Sequence, residues 1–285
     1  MTISELLIDI RKRLLQAFGD STLADNEAVL IIEQSLGITK KRIYLDSSIS
    51  IDTNDVDHIY TIVERRLRGE PLQYIFGKAY FYDREFSVNR DVLIPRPDTE
   101  TLVDTVINTE NKSPAMFIDI GTGSGILAAV LTAHHPDWTA VAIDISFKAL
   151  QTASRNLFGD DDKSINNNIY LICGDILGAI RPGKRFDFIV SNPPYISSPQ
   201  MKTLDRSVAD YEPSIALYGG EDGLDYYRMI SARAKMYLKD TGRIYLEIGF
   251  DQGVSVPNIL RGDGWKDVAV VKDLAGRDRV AVATN

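Results

Sequence analysis

Residues 192–195 read Asn-Pro-Pro-Tyr, and they follow the run "FDFIV" at 186–190, continuous and apolar but for Asp187. Such a run is expected of a central parallel strand covered on both faces, so Asn192 is expected to emerge where that strand stops. Pro193 and Pro194 fix φ and lack N–H groups, which stiffens the corner around the Asn192 amide and the Pro193 carbonyl. Two oxygens so placed suit a planar NH₂ group, one hydrogen going to the Asn192 side chain and the other to the Pro193 carbonyl. The nitrogen lone pair then points out of the plane. Tyr195 offers a flat wall for stacking on a planar substrate and a ring face that favours a cation. Asn192 cannot serve as a general base, so its role is acceptor and positioner, and the proton leaves after the nitrogen has reacted.

A second constellation precedes it. "FIDIGTGSGILAAVLTAHH" (117–135) reads as a strand, a turn and a helix, the turn being Gly121, Thr122, Gly123, Ser124 and Gly125. Glycine allows the tight turn and a close ligand, and the first N–H groups of the helix face that ligand. The spacing is G-x-G-x-G rather than the G-x-G-x-x-G of dinucleotide folds, so the loop alone is weak evidence. Its partner is Asp144, at the end of the strand "TAVAIDI" and nineteen residues after Gly125. A carboxylate there can accept both hydroxyls of a ribose. Asp175, after "IYLICGD", can accept from an adenine amino group. The plainer alternative is that Asp144 and Asp175 cap the helices that follow. Together the features imply an adenosine-type cofactor, and a sulfonium methyl group on the line of the substrate lone pair would be transferred mainly through orientation.

These residues need elements to hold them. Leu6, Leu7, Ile10, Leu14 and Phe18 recur at helical steps, a second helix is expected from about Leu23 to Leu36, and a third carries Val56, Ile59, Tyr60, Val63 and Leu67 as far as Gly69. Residues 1–70 therefore read as a small helical domain. In 71–97 a hairpin is expected around the polar break "DRE", and Asp98 is placed to cap a helix running to about Glu110. From 98 to 285 short apolar runs alternate with helical patterns. Strands are expected near 116–120, 139–144, 169–173, 186–191 and 242–248, the pattern of an α/β protein with a parallel sheet. Runs near 267–271 and 278–283 are close enough to pair antiparallel. "GDDDKSINNN" (159–168) reads as a polar connecting loop.

Composition narrows the function classes. The net charge of −8 argues against a chain that wraps the phosphate backbone of nucleic acid. "KKR" (40–42) and "RRLR" (65–68) read as solvated helix faces. Cys173, the only cysteine, reads as a small core hydrophobe, and His58, His134 and His135 show no metal-ligand spacing, so no metal is expected. No stretch reaches the length of a membrane span and the first residues lack a signal-peptide core, which makes the cytoplasm the expected location.

At these residues the chain resembles the class I S-adenosylmethionine-dependent methyltransferases, and more narrowly the HemK/PrmC release-factor glutamine methyltransferases. The resemblance is carried by "IPRPDTE" (94–100), "DIGTGSG" (119–125), "AIDIS" (142–146), "VSNPPYI" (190–196), "YEP" (211–213) and "LEIG" (246–249). It implies a Rossmann-like sheet, mostly parallel with one antiparallel strand near the C-terminus. It also implies methylation of the glutamine side-chain nitrogen in the Gly-Gly-Gln loop of peptide chain release factors. S-adenosylmethionine would be held by Gly121 to Gly125, Asp144, Asp175 and Asn192. The glutamine would be held by Asn192, Pro193, Pro194 and Tyr195. After Asp175 several members carry an aromatic residue; here Ile176 is an aliphatic cover for the adenine. The expected partner is a release factor, recognised through the helical domain by a monomeric enzyme. The competing reading is a methyltransferase for the exocyclic amine of adenine in nucleic acid, since the same corner suits any planar NH₂ group brought out of a stack.

Overall fold

The computed structural model describes residues 1–159 and 168–285; of the polar stretch 159–168, all but its two end residues lie outside the described residues. The chain divides into two compact units, Met1–Gly77 and Lys78–Asn285.

The first unit is helical. Helix α1 (Ile3–Phe18) starts at a reciprocal cap, the Glu5 N–H donating to Thr2 Oγ1 at 3.2 Å and the Thr2 N–H to Glu5 Oε2 at 2.8 Å. Asp20 caps α2 (Ser21–Leu36) by accepting from the Thr22 and Leu23 N–H groups. After α3 (Lys40–Leu45) come α4 (Thr53–Leu67) and α5 (Leu72–Phe76). Leu6, Ile10, Leu14, Ile31, Ile32, Ile59 and Val63 form the core. Helix α3 was not expected, because one and a half turns are too short to show a period. Helix α5 belongs to this unit, so the division falls after Gly77 rather than near residue 70. The "RRLR" stretch is not the wholly solvated face expected. Arg66 is buried, pairs with Glu27 at 2.8 Å and lies 4.2 Å over the Phe18 ring, so its apolar stem packs inside while its head is neutralised.

The second unit opens with a hairpin of β1 (Lys78–Phe81) and β2 (Arg84–Ser87). The turn is Tyr82–Asp83, both at positive φ as a two-residue hairpin turn requires, so Arg84 and Glu85 belong to β2 and not to the expected break. A 3₁₀ turn (Pro97–Thr99) leads into α6 (Glu100–Thr109). Asp98 does not cap that helix. Its carboxylate instead pairs with Arg279 at 2.9 Å.

Strands and helices then alternate: β3 (Met116–Ile120), α7 (Ile126–His134), β4 (Thr139–Asp144), α8 (Phe147–Phe158), β5 (Ile169–Cys173) and β6 (Phe186–Ser191). The short α9 (Ser198–Met201) and α10 (Arg206–Ala209) precede α11 (Asp225–Ala234), β7 (Leu238–Glu247), α12 (Ser255–Gly262), β8 (Lys266–Lys272) and β9 (Asp278–Thr284). The sheet order is β5-β4-β3-β6-β7-β9-β8, parallel except that β9 runs against both neighbours. Alternate residues of one strand reach opposite faces: Phe117 packs with α6 and α7, whereas Ile118 and Ile120 pack with α11 and α12. Strand β5 is an edge. Cys173 at its end is exposed rather than a core residue, its Sγ 3.8 Å from the Ile145 carbonyl.

Candidate active site

From β3 the chain steps outward through β4 and β5, then returns to lay β6 on the other side of β3. Open α/β sheets bind ligands at such a reversal, beyond the carboxyl ends of the strands, because the two connecting loops diverge there. Ile120 and Ser191 are register partners, so Gly121 and Asn192 leave adjacent strand ends. The Ser191 hydroxyl donates to the Ile120 carbonyl at 2.8 Å and ties the two ends together. Between the loops opens a cleft of about 980 Å³, the open space at its mouth included.

One wall is the glycine loop. Gly121, Gly123 and Gly125 have φ of +70°, +56° and +84°, a backbone that other residues adopt with strain. Gly121 and Thr122 donate to the Ile143 carbonyl at 2.8 and 2.9 Å, which bends the loop over the end of β4. Asp144 Oδ2 accepts the Gly123 N–H at 2.9 Å, and Oδ1 accepts the Ser146 N–H at 2.8 Å. The carboxylate thus joins the loop to the start of α8 as well as facing the cleft. Burial raises its pKa, opposed by those N–H donors. Asn156 braces the loop from α8, donating to the Ser124 carbonyl at 2.8 Å and to the Ser87 carbonyl of β2 at 3.0 Å.

Asn192 and Pro194 face the cleft from the other side. Of the remaining residues singled out in the sequence, Gly121 to Ser124, Asp144, Asp175 and Ile176 line it, whereas Gly125, Pro193 and Tyr195 do not. Gly125 is where α7 meets α8, and a Cβ there would lie 3.2 Å from Leu157. Pro193 is buried, and the Tyr195 ring packs against the core on the α11 side of the sheet. The Tyr195 carbonyl accepts from Gln252 Nε2 at 3.2 Å, which pins the corner to the loop after β7. Ile176 is buried with φ +51°, an uncommon conformation for a β-branched residue, and presents to the cleft as an aliphatic cover.

Three further groups complete the site. Arg96 lines the cleft and pairs with the buried Glu212 at 2.5 Å, joining "IPRPDTE" to "YEP". Burial raises the Glu212 carboxyl, and Arg96 opposes the rise. Thr99 accepts a hydrogen bond from Asn192 Nδ2 at 3.1 Å, and burial pushes the neighbouring Glu247 carboxyl up to about 7. Asp119, at the end of β3, accepts from the Thr122 hydroxyl at 2.6 Å and is likewise raised to about 7 by burial. All of these stand in segments that the sequence picked out, yet no pattern in the sequence assigns them a partner.

Comparison with known proteins places these segments in a family context. The family described as "Methyltransferase small domain" matches residues 97–209, and "PrmC N-terminal domain" matches residues 5–77. A protein of Thermodesulfovibrio yellowstonii named "Release factor glutamine methyltransferase" is 40% identical over 90% of this chain and 91% of its own. One of the same name from Bacillus subtilis is 37% identical over 91% of each chain. Among solved structures, a methyltransferase from Pyrococcus furiosus superposes with a TM-score of 0.53 at 17% identity, over 78% of this chain and 95% of its own. The hMettl16 catalytic domain in complex with MAT2A 3'UTR hairpin 6 gives 0.56 at 16% identity, over 84% of each chain. The two structural likenesses concern the fold alone.

Proposed function

The chain belongs to the family of release factor glutamine methyltransferases, and from that premise we propose that it methylates the side-chain amide nitrogen of a peptide chain release factor glutamine, the one in the Gly-Gly-Gln loop, using S-adenosylmethionine. Its sheet is the Rossmann-like α/β sheet of class I methyltransferases, mostly parallel with one antiparallel strand. The observation that carries the reading is the meeting of Asn192 and the glycine loop across one cleft, at the strand pair where the topology reverses.

The cleft fits the cofactor. A Cβ built on Gly121 would meet nothing within 4 Å, and one on Gly123 only the Gly121 carbonyl at 3.9 Å, so the loop leaves room for a ligand against its backbone. Asp144 presents a carboxylate for ribose hydroxyls, Asp175 an acceptor for an amino group, and Ile176 an apolar cover for a flat base. When bound, S-adenosylmethionine supplies an electrophilic methyl carbon on a positively charged sulfur.

The chain's own residues orient the nucleophile. Asn192, which lines the cleft, accepts one hydrogen of the carboxamide through Oδ1, and the main-chain carbonyl of Pro193, a residue buried outside the cleft lining, is assigned the other, which turns the nitrogen lone pair toward the cofactor side. Neither group can hold the proton that methylation releases, so it passes to water and no general base is assigned. Orientation is worth several orders of magnitude in rate when the reacting atoms are held in line. Tyr195, half-buried and packed against the core, and the Gln252 bond to its carbonyl stiffen the corner.

Pure protein is incubated with methyl-labelled cofactor and either intact release factor or DNA, and the products are mapped by peptide mass. Label on the Gly-Gly-Gln glutamine supports the proposal; label on DNA alone refutes it in favour of the adenine-amine reading. We assign the Met1–Gly77 unit the task of holding the release factor, since a protein substrate needs contact area beyond a single loop.

A further inference from the structure

An amide can offer the cleft either its oxygen or its NH₂ group, and the two faces differ only by a half-turn about the last side-chain bond. The reading of Asn192 as acceptor requires the oxygen. The structure places a hydroxyl against one end of this amide.

Strand β7 lies beside β6 with Leu246 in register with Ser191, so Glu247 and Asn192 follow at neighbouring strand ends. Thr99 reaches the same place from the 3₁₀ turn, which the Asp98–Arg279 ion pair anchors to β9. Thr99 and Glu247 are each 1% exposed, and Glu247 Oε2 has no partner among the described residues. The Thr99 hydroxyl oxygen accepts from Asn192 Nδ2 at 3.1 Å, so the NH₂ end of the amide is the one turned toward this buried pocket beside the β6 and β7 strand ends.

We propose that Thr99 is a positioning residue: buried on the 3₁₀ turn that the Asp98–Arg279 pair anchors, its hydroxyl captures the NH₂ end of the Asn192 amide and so turns Asn192 Oδ1 toward the substrate. The inference rests on the reading of Asn192 as an acceptor for a carboxamide. Without the Thr99 hydroxyl the amide is free to turn, and a fraction of molecules present NH₂ to NH₂. Such a pair repels and leaves the substrate nitrogen unaligned, an effect on kcat rather than on cofactor affinity.

The test compares Thr99→Val, which keeps the volume and removes the hydroxyl, with Thr99→Ser, which keeps the hydroxyl. Val should lower kcat on release factor about tenfold or more with the cofactor Kd unchanged within about twofold, and Ser should restore most of the rate. Thr99→Cys covers a Val variant that does not fold, and should lose at least about threefold in kcat. A Val variant as active as the parent, or a Ser variant as impaired as Val, overturns the proposal. An independent readout needs no substrate: the Asn192 side-chain ¹⁵NH₂ signals, assigned by their loss in Asn192→Asp, should shift in Val and return in Ser. If the parent protein fails to label release factor, the functional reading falls while this signal still decides the role of Thr99; unchanged signals in Val refute it.

Discussion

Gly223 lies so close beneath Tyr195 that a Cβ built on it would sit 2.4 Å from the Tyr195 carbonyl oxygen, and its φ of +77° already favours glycine. The Asn-Pro-Pro-Tyr corner is therefore seated on a glycine-lined surface. Gly219 approaches from the same side, where a Cβ would be 2.7 Å from the Pro194 carbonyl. Gly223→Ala should displace the corner and lower methyl transfer at least about tenfold, because small misplacements of a nucleophile are costly. Cofactor affinity, measured by calorimetry, should hold, since Gly223 does not line the cleft. Unimpaired turnover in this variant would mean that the corner need not be rigid.

Asp144 joins the glycine loop to α8 and presents its charge to the cleft. Asp144→Asn keeps the size but weakens acceptance from N–H and O–H donors. Cofactor Kd should rise about tenfold to a hundredfold, the ordinary worth of hydrogen bonds to a charged acceptor. Titration of the variant with S-adenosylmethionine checks this.

Arg96→Met leaves Glu212 buried without its cation. The carboxyl is already raised by burial, and losing Arg96 raises it further. The cost therefore appears at pH values where Glu212 must ionise and fades on acidification as the group protonates. A loss of about 1–2 kcal/mol near pH 8 is expected, reduced because Arg96 itself is partly solvated, with a smaller loss near pH 5. Denaturant unfolding at the two pH values measures the difference.

Burial raises Asp119 from an ordinary 3.8 to about 7. A carboxyl raised on folding contributes stability that is complete below its unfolded value and lost as pH climbs through the folded one. The window here runs from about pH 4 to about pH 7. Asp119→Asn removes this loss, so its melting temperature relative to the parent should be more favourable at pH 8 than at pH 5. Glu247, raised in the same direction, leaves a residual slope. A difference that is flat with pH would show that Asp119 is not ionising in this window.

The Lys78–Asn285 unit has its own core and carries every residue assigned to the cleft. Expressed alone, it should bind S-adenosylmethionine with near-native affinity and fail to label intact release factor. Normal labelling by this unit would remove the recognition role assigned to Met1–Gly77.

The sequence was most legible where a local run of residues suffices. Strands at 116–120, 139–144, 169–173 and 186–191 match β3, β4, β5 and β6, because each is a short, largely apolar run, although only the inner strands are buried and the edge strand β5 is largely not. Strand β7 starts at Leu238, four residues earlier than its apolar run, since Leu238 pairs with Phe186 and the exposed 239–241 follow before the register resumes at Arg243. The exposure of Cys173, the burial of Arg66 and the pairing of Asp98 with Arg279 were hidden for one reason. Each depends on which strand is an edge, or on which distant residue arrives alongside.

The sequence by itself determined the chemistry within reach: an amide held by prolines, a glycine turn and a carboxylate at a strand end are contiguous features, and their meaning travels with their residue types. Only the tertiary structure decided how that chemistry is aimed. Thr99, Asn192 and Glu247 are separated along the chain, and they meet because the register of β6 on β7 and the anchoring of one 3₁₀ turn bring three chain segments to one point. Hydrogen bonding acts over about 3 Å, so a group's partner is fixed by through-space distance, which a linear pattern does not encode.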